Sequence, residues 1–189
     1  MKTSLSLPKI PEEFYPRIEK FLDQVENHEV PDQTLRDLFM AIFKPGIEVV
    51  YQDRKARKSI DEKVPEIVGK RLFLHVADHS IWILTVKEPP ALLDVELVPE
   101  AELDRLKEEM VGLSIEFEVV RGMFDGTMDP IKAAFMGKGE VHNMGEFSTW
   151  ALPFVGTLNE ITQREDLMQQ AMEGGVLEVL DAELKKHGC

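Results

Sequence analysis

The chain has 189 residues, of which 43 % are hydrophobic and 30 % charged, a composition typical of a soluble globular protein with a core of normal size. Its formal net charge of −13 argues against nucleic-acid binding, which needs a basic face, and disfavours tight binding to anionic membranes. Cys189 is the single cysteine, which excludes an internal disulfide. Since the chain shows no signal-peptide pattern and no membrane-spanning apolar run, we predict a cytoplasmic location.

The first part of the chain is predicted to form two helices. Apolar residues recur at helical spacing from Pro11 to His28, which predicts the first. Asp32 is a fair N-cap for the second, which carries an apolar stripe as far as Phe43. The sequence Lys44-Pro45-Gly46 is expected to end that helix, because proline is unfavourable inside a helix.

Residues 47–68 are expected to be partly helical, and they contain the main concentration of positive charge. This basic cluster consists of Arg54, Lys55, Arg57 and Lys58. It allows two interpretations: a contact for a lipid headgroup, a coenzyme A phosphate or a membrane surface, or a solvated helix face balanced by nearby acidic residues.

From Gly69 onwards the apolar period changes from helical spacing to alternation, which predicts strands. A hairpin is expected with its turn near Asp78-His79, followed by strands over Leu92–Val98, Met110–Glu116 and Gly137–Asn143. Apolar residues occur on both phases of the hairpin strands, which indicates a sheet covered by helices on one side and partly covered on the other. Because the strands follow each other with short connections, we predict an α+β fold with a five-stranded, mostly antiparallel sheet.

Helices are predicted between and after these strands. Pro99–Glu109 is expected to be a short charged helix, and Phe117–Asn143 to contain two short apolar helices before the last strand. Gly126 is expected to end the first of these, and Pro130 to begin the second. The sequence STWALPFV is expected to extend the last strand or form a loop. Residues 159–187 predict a final amphipathic helix, weakened at Gly174-Gly175, where one helix ending and another beginning is the favoured interpretation over a hinge.

The order of features in Phe117–Asn143 resembles the sterol carrier protein-2 family of lipid-binding domains. These features are an apolar helix, a Gly-Thr-Met-Asp-Pro break, a helix containing Ala-Phe-Met, and a Gly-Lys-Gly turn into a strand. The resemblance covers roughly Leu35–Leu158, and the charged insert Pro99–Glu109 departs from the family pattern. It implies a sterol carrier protein-2 like sheet with extra N- and C-terminal helices. The expected division is residues 1–34 as an N-terminal extension, 35–158 as the lipid-binding domain and 159–189 as a C-terminal helical segment.

The resemblance also implies an apolar tunnel between the sheet and the helices. Methionine and phenylalanine are concentrated between residues 110 and 154, and a wall of such side chains accepts apolar ligands of varied shape, although a stripe of this kind is also an ordinary core. We therefore expect a lipid or other hydrophobic small molecule, such as a sterol, fatty acid or fatty acyl-CoA, to be sequestered there. The residues expected nearest the ligand are Phe73, Ile83, Phe117, Val120, Phe124, Phe135, Met136, Trp150 and Phe154.

No set of residues with the spacing of a catalytic or metal site stands out. His75 and His79 are four apart but belong to a strand and its turn, where that spacing loses its meaning for a metal. Ser114 and Ser148 lack a nucleophile-elbow context. We therefore predict no catalysis, no cofactor and no metal. An enzyme would need a buried polar residue with a shifted pKa, for which His142 is the candidate.

The principal alternative is a non-catalytic interaction module with the same fold and a closed cavity. It would act as a dimerising or accessory subunit, with the chain forming a homodimer. For a lipid carrier, in contrast, transient membrane contact is expected during ligand transfer. A cavity filled by large side chains would favour the interaction module.

Overall fold

The computed structural model describes residues 10–124 and 127–189, which form an α+β fold around a five-stranded sheet. The prediction of this fold class is confirmed. Each predicted strand is present, with ends shifted by one or two residues from the expected ones. The strands are β1 Arg71–Val76, β2 Ile81–Val86, β3 Leu93–Val98, β4 Val111–Ile115 and β5 Gly139–His142.

The sheet has the strand order β3-β2-β1-β4-β5. Neighbouring strands are antiparallel except for β1 and β4, which run parallel, so the sheet is mixed but mostly antiparallel, as expected. In the register, Phe73 lies beside Ile83 on one side and beside Gly112 on the other. Gly112 in turn faces His142 across the β4–β5 ladder.

Helices surround this sheet and also connect some of its strands. None of the helices in the described part of the chain is both long and apolar enough to cross a bilayer. The helices are α1 Tyr15–Glu26, α2 Asp32–Gln52, α3 Arg54–Lys63, α4 Leu103–Glu109, α5 Phe117–Phe124, α6 Pro130–Ala133, α7 Met144–Glu146, α8 Leu152–Thr162, α9 Glu165–Ala171 and α10 Leu177–Lys186.

The two faces of the sheet are covered differently, as the alternation of apolar residues predicts. One face, called here the inner face, packs through residues such as Trp82, Val95 and Leu113 into the large core beneath the helices. The opposite face, the outer face, carries a small apolar cluster of Phe73, Ile81 and Ile83 that is covered by Leu106 of α4. Since successive side chains of a strand point to opposite faces, these two sets come from alternate positions.

The prediction that α2 ends at Lys44-Pro45-Gly46 is wrong, because the helix continues through Pro45 to Gln52. Ile47 and Val50 continue its buried stripe beyond the proline. The irregular turn Met172–Val176 packs against the same part of α2, and a Cβ on Gly174 would lie only 2.9 Å from Val49 Cγ2. Tertiary packing therefore offsets the cost of a proline inside the helix.

The chain after β5 also differs from its prediction. The sequence expected to extend β5 or form a loop is helical, through the irregular turn Phe147–Ala151 and α8. The expected end of one helix and start of another at Gly174-Gly175 is confirmed, because α9 and α10 meet at a turn in which Gly175 has φ of 117°. A second break, between α8 and α9, was not expected. Pro130 begins α6 as predicted, with Asp129 accepting the N–H of Lys132. The expectation for Gly126 falls outside the described residues.

Candidate functional site

The structure does not gather the nine expected ligand-binding residues into one cavity. Phe73 and Ile83 belong to the outer-face cluster, whereas five of the others belong to the two inner cores. Phe117, Val120 and Phe124 belong to the core that includes α1 and α2, and Trp150 and Phe154 to a second inner core. Phe135 and Met136 are exposed, at 63 % and 80 % of their surface.

The side chains of the two inner cores are mostly buried. Trp150 is 4 % exposed, and its indole N–H is buried without a hydrogen-bond partner among the described residues. Buried donors are nearly always paired, so this N–H would favour a ligand acceptor or water beside it. The two best-defined cavities, however, both lie on the outer face of the sheet, where residues of α4 help to line them.

The larger cavity, here the α4 cleft, has a volume of about 310 Å³. Its floor is apolar because β2, β3 and α4 contribute aliphatic and thioether side chains, and Phe73 and Ile81 lie in the same cluster. Leu106, only 2 % exposed, holds α4 against this floor. The residues that line the cleft are Arg71, Ile83, Val98, Pro99, Glu102, Arg105, Leu106 and Met110.

Two arginines form the charged part of the α4 cleft. Arg105 donates to Glu102 at 2.7 Å and to Glu109 at 2.8 Å, and these hydrogen bonds raise its pKa above the ordinary value. Arg71 donates to Glu96 on the neighbouring part of the sheet. All of these side chains are substantially exposed, so the ion pairs are weak and exchange readily for another anion.

A polar row of Glu100, His75, Ser114 and His142 lies on the same face, next to a second cavity of about 180 Å³. His75 Nε2 lies 3.0 Å from Glu100 Oε1, and His75 Nδ1 lies 3.3 Å from Ser114 Oγ. Ser114 Oγ lies 2.9 Å from His142 Nε2. Both histidines are buried, at 8 % and 7 % exposure.

These contacts form a consistent chain of donors and acceptors when both histidines are neutral. With its Nε2–H donated to Glu100, His75 presents an unprotonated Nδ1 that accepts the Ser114 hydroxyl. His142 then donates its Nε2–H to Ser114 Oγ. The row ties β1, β4 and β5 to the turn that precedes α4.

Burial lowers the pKa of His142, because the charged imidazolium loses hydration, and the nearby Glu140 carboxylate partly opposes this shift. The unfolded chain therefore takes up a proton at this position first as the pH falls. The stability that depends on His142 being neutral is fully present above about pH 6.5. It is lost progressively as the pH falls from there towards the pKa of His142 in the folded protein.

We expect His142→Gln to flatten the decline of stability between neutral and mildly acidic pH, because glutamine cannot take up this proton. Urea unfolding midpoints measured at pH 7.5 and at pH 5 would show the change. His28→Asn is the control, since His28 is exposed and outside the row, and asparagine tolerates the positive φ at this position. An unchanged pH dependence in His142→Gln would contradict the argument.

The basic cluster lies on α3, with Arg54, Lys55, Arg57 and Lys58 all exposed. Asp53 caps this helix by accepting the N–H groups of Lys55 and Ala56. Its pKa is lowered, first by the bond from Ala56 and then by Arg164. Both interpretations of the basic cluster, lipid-headgroup contact and solvated helix face, are compatible with this position.

The residues of the polar row and of the α4 cleft were not predicted from the sequence to lie together. Their signal in the sequence was the alternation of the strands, which places His75, Ser114 and His142 on one phase once the register is known. The charged segment Pro99–Glu109 before β4 contributes four of the eight residues that line the cleft.

No model of a known protein family matches the chain. Comparisons with curated proteins and with solved structures likewise gave no match.

Proposed function

We propose that the protein binds a fatty-acid-like amphiphile and acts as a lipid carrier, as the resemblance to the sterol carrier protein-2 family implies. The α4 cleft carries the proposal, because it combines an apolar floor with arginine side chains. Its volume of about 310 Å³ lies at the lower end of the range for small-molecule sites. Ile83, one of the nine residues expected nearest the ligand, lines this cleft, and Phe73 lies in the apolar cluster beneath it.

The size of the cleft limits the ligand. A methylene group takes up slightly less than the roughly 30 Å³ share of a water molecule, so about ten carbon atoms fit. Burying them at about 0.8 kcal/mol each gives about 8 kcal/mol before the costs of association. We therefore expect a medium-length acyl chain to bind with a Kd of tens of micromolar or weaker. Its carboxylate is expected to replace Glu102 as an ion-pair partner of Arg105.

Displacement of a fluorescent fatty acid by saturated acids of increasing length tests the proposal. Affinity is expected to be highest near ten carbons, and Arg105→Gln is expected to weaken binding of an acid more than that of the matching alcohol. Val98→Trp should block the cleft. Thr85→Trp is the control, because Thr85 lies on β2 on the same outer face of the sheet as Val98 but does not line the cleft.

Tryptophan fluorescence distinguishes binding in the α4 cleft from binding in a tunnel between the inner face of the sheet and the helices. Trp82 and Trp150, the two tryptophans of the chain, both pack into the inner cores. Binding in the cleft should leave their emission nearly unchanged. A strong change at Trp150, with affinity rising to the longest chains, would place the ligand in the inner tunnel. No binding of any acid would overturn the carrier proposal altogether.

The interaction module, the alternative, has its own supporting observation. Phe135, Met136 and Met144 are large apolar side chains exposed at 63 %, 80 % and 44 %. A homodimer that dissociates in a Phe135→Ser, Met136→Ser double variant would favour it, and light scattering reports the mass directly.

The prediction of no catalysis can be tested at the polar row. Labelling of Ser114 by a fluorophosphonate probe would contradict it, because this reaction requires an activated serine.

A further inference from the structure

A second histidine cluster, separate from the cleft and the polar row, lies where the link between α1 and α2 meets the β1–β2 turn. His28 is in the link, Asp32 is the first residue of α2, and His79 is in the turn. Each offers one ligand atom, and the three atoms lie within 4.8 Å of one another. Two imidazoles and a carboxylate from three separate segments thus converge on one point.

Two of the three side chains are already held in place. His79 Nδ1 lies 3.0 Å from Asp32 Oδ1, and the side chain of His79 is only 5 % exposed. The imidazole of His79 is packed between His28 and Phe117, with both ring centroids at 4.6 Å. Asp32 makes no ion pair with a lysine or arginine within residues 10–124 and 127–189, so its charge is available to a cation.

The third side chain is free to adjust. The rings of His28 and His79 are stacked at an interplanar angle of 27°, whereas ligands of one ion must direct their nitrogens towards a common centre. His28 is exposed, so rotation of its side chain disturbs no core packing. Ligand atoms of a tetrahedral zinc ion lie about 3.3 Å apart, close to the existing contact between His79 and Asp32.

We propose that His28, Asp32 and His79 form a binding site for a divalent transition metal ion, with Zn²⁺ the best fit. Imidazole nitrogen and carboxylate oxygen suit zinc, and three protein ligands leave a fourth position for water. The bound ion would join the N-terminal helices to the end of the β1–β2 hairpin. The proposal is independent of the ligand assigned to the α4 cleft.

Titration of tag-free protein with Co²⁺, followed by competition with Zn²⁺, tests the site. All proteins carry Cys189→Ser, which removes the thiol as a ligand. We expect one equivalent of Co²⁺ to give the visible absorption of a low-coordinate site, and Zn²⁺ to displace it. Calorimetry then gives the zinc affinity. Absence of binding in the parent protein would overturn the proposal.

Variants identify the ligands. His28→Asn removes the imidazole but tolerates the positive φ of 57° at this position. His28→Asn and Asp32→Asn, made separately, are each expected to weaken zinc binding by about tenfold or more. Loss of a direct ligand should cost at least as much as loss of a residue that only hydrogen-bonds to a ligand. His142→Gln is the matched control, because it removes a histidine of the polar row and should bind zinc like the parent. Unchanged affinity in both His28→Asn and Asp32→Asn, or equal loss in the control, would overturn the assignment.

Discussion

Gly112→Ala is expected to destabilise the fold by at least about 2 kcal/mol. A Cβ at this position would lie 2.1 Å from Phe73 Cε1, and two further carbons of that ring would lie at 2.3 Å. The ring cannot withdraw easily, since Phe73 is fully buried and also stacks on His142 at 5.3 Å between ring centroids. Glycine in this strand therefore marks a close approach of a side chain to the backbone. Urea unfolding measures the loss.

Two controls separate this contact from a general effect of replacing glycine. Gly156→Ala lies in α8, where the added Cβ would meet no described atom within 4 Å apart from its chain neighbours and its own helix backbone, and it should be neutral or stabilising. Phe73→Leu should reduce the penalty of Gly112→Ala, so that the double variant loses less stability than the sum of the single changes. If Gly112→Ala is as stable as the parent, the tight contact with Phe73 is refuted.

Leu106→Ala is expected to cost about 3 kcal/mol, within the range for truncating a buried leucine. Leu106 is the side chain by which α4 is buried against Phe73, Ile81 and Ile83. Its loss should weaken the docking of α4 and open the cleft, so that fatty-acid binding falls together with stability. Chemical unfolding gives the free energy of unfolding, and hydrogen exchange at the amide of Met110, which bonds to Leu106 O, reports detachment of the helix.

Leu103→Ala is the matched control for this prediction. Leu103 lies on the same helix and contacts the same cluster, but it is only partly buried. Its truncation should cost clearly less. Equal costs for the two substitutions would show that α4 is not anchored mainly through Leu106.

The sheet could be predicted well from the sequence because alternation is a local signal. Each strand shows the period of two along its own residues, and the phases correctly indicated that both faces are covered, one of them only in part. The continuation of α2 beyond Pro45 could not be predicted in this way. It depends on packing between Val49 and the distant turn at Gly174, which no local pattern reveals.

The candidate sites were less predictable than the strands. The polar row depends on the pairing of β1 with β4 and of β4 with β5, which decides that His75 and His142 both reach Ser114. The metal cluster joins a loop, a helix start and a hairpin turn, so its three side chains have no common spacing. Of the nine residues expected near a ligand, Ile83 lines the α4 cleft, and Phe73 shares its apolar cluster. Half of the residues that line the cleft come from the charged segment Pro99–Glu109, for which the sequence predicted a helix but no role in binding.

The parallel pairing of β1 with β4 bears on the order in which the chain can fold. β1, β2 and β3 form a meander from neighbouring segments, which needs only short loops to close. β4 must then be brought beside β1 after two intervening strands and α4, and such non-local pairing is slow. Until it arrives, the β4-facing edge of β1 is exposed and able to pair with another chain. The slow docking of β4 therefore sets the length of time for which the nascent protein is prone to aggregate.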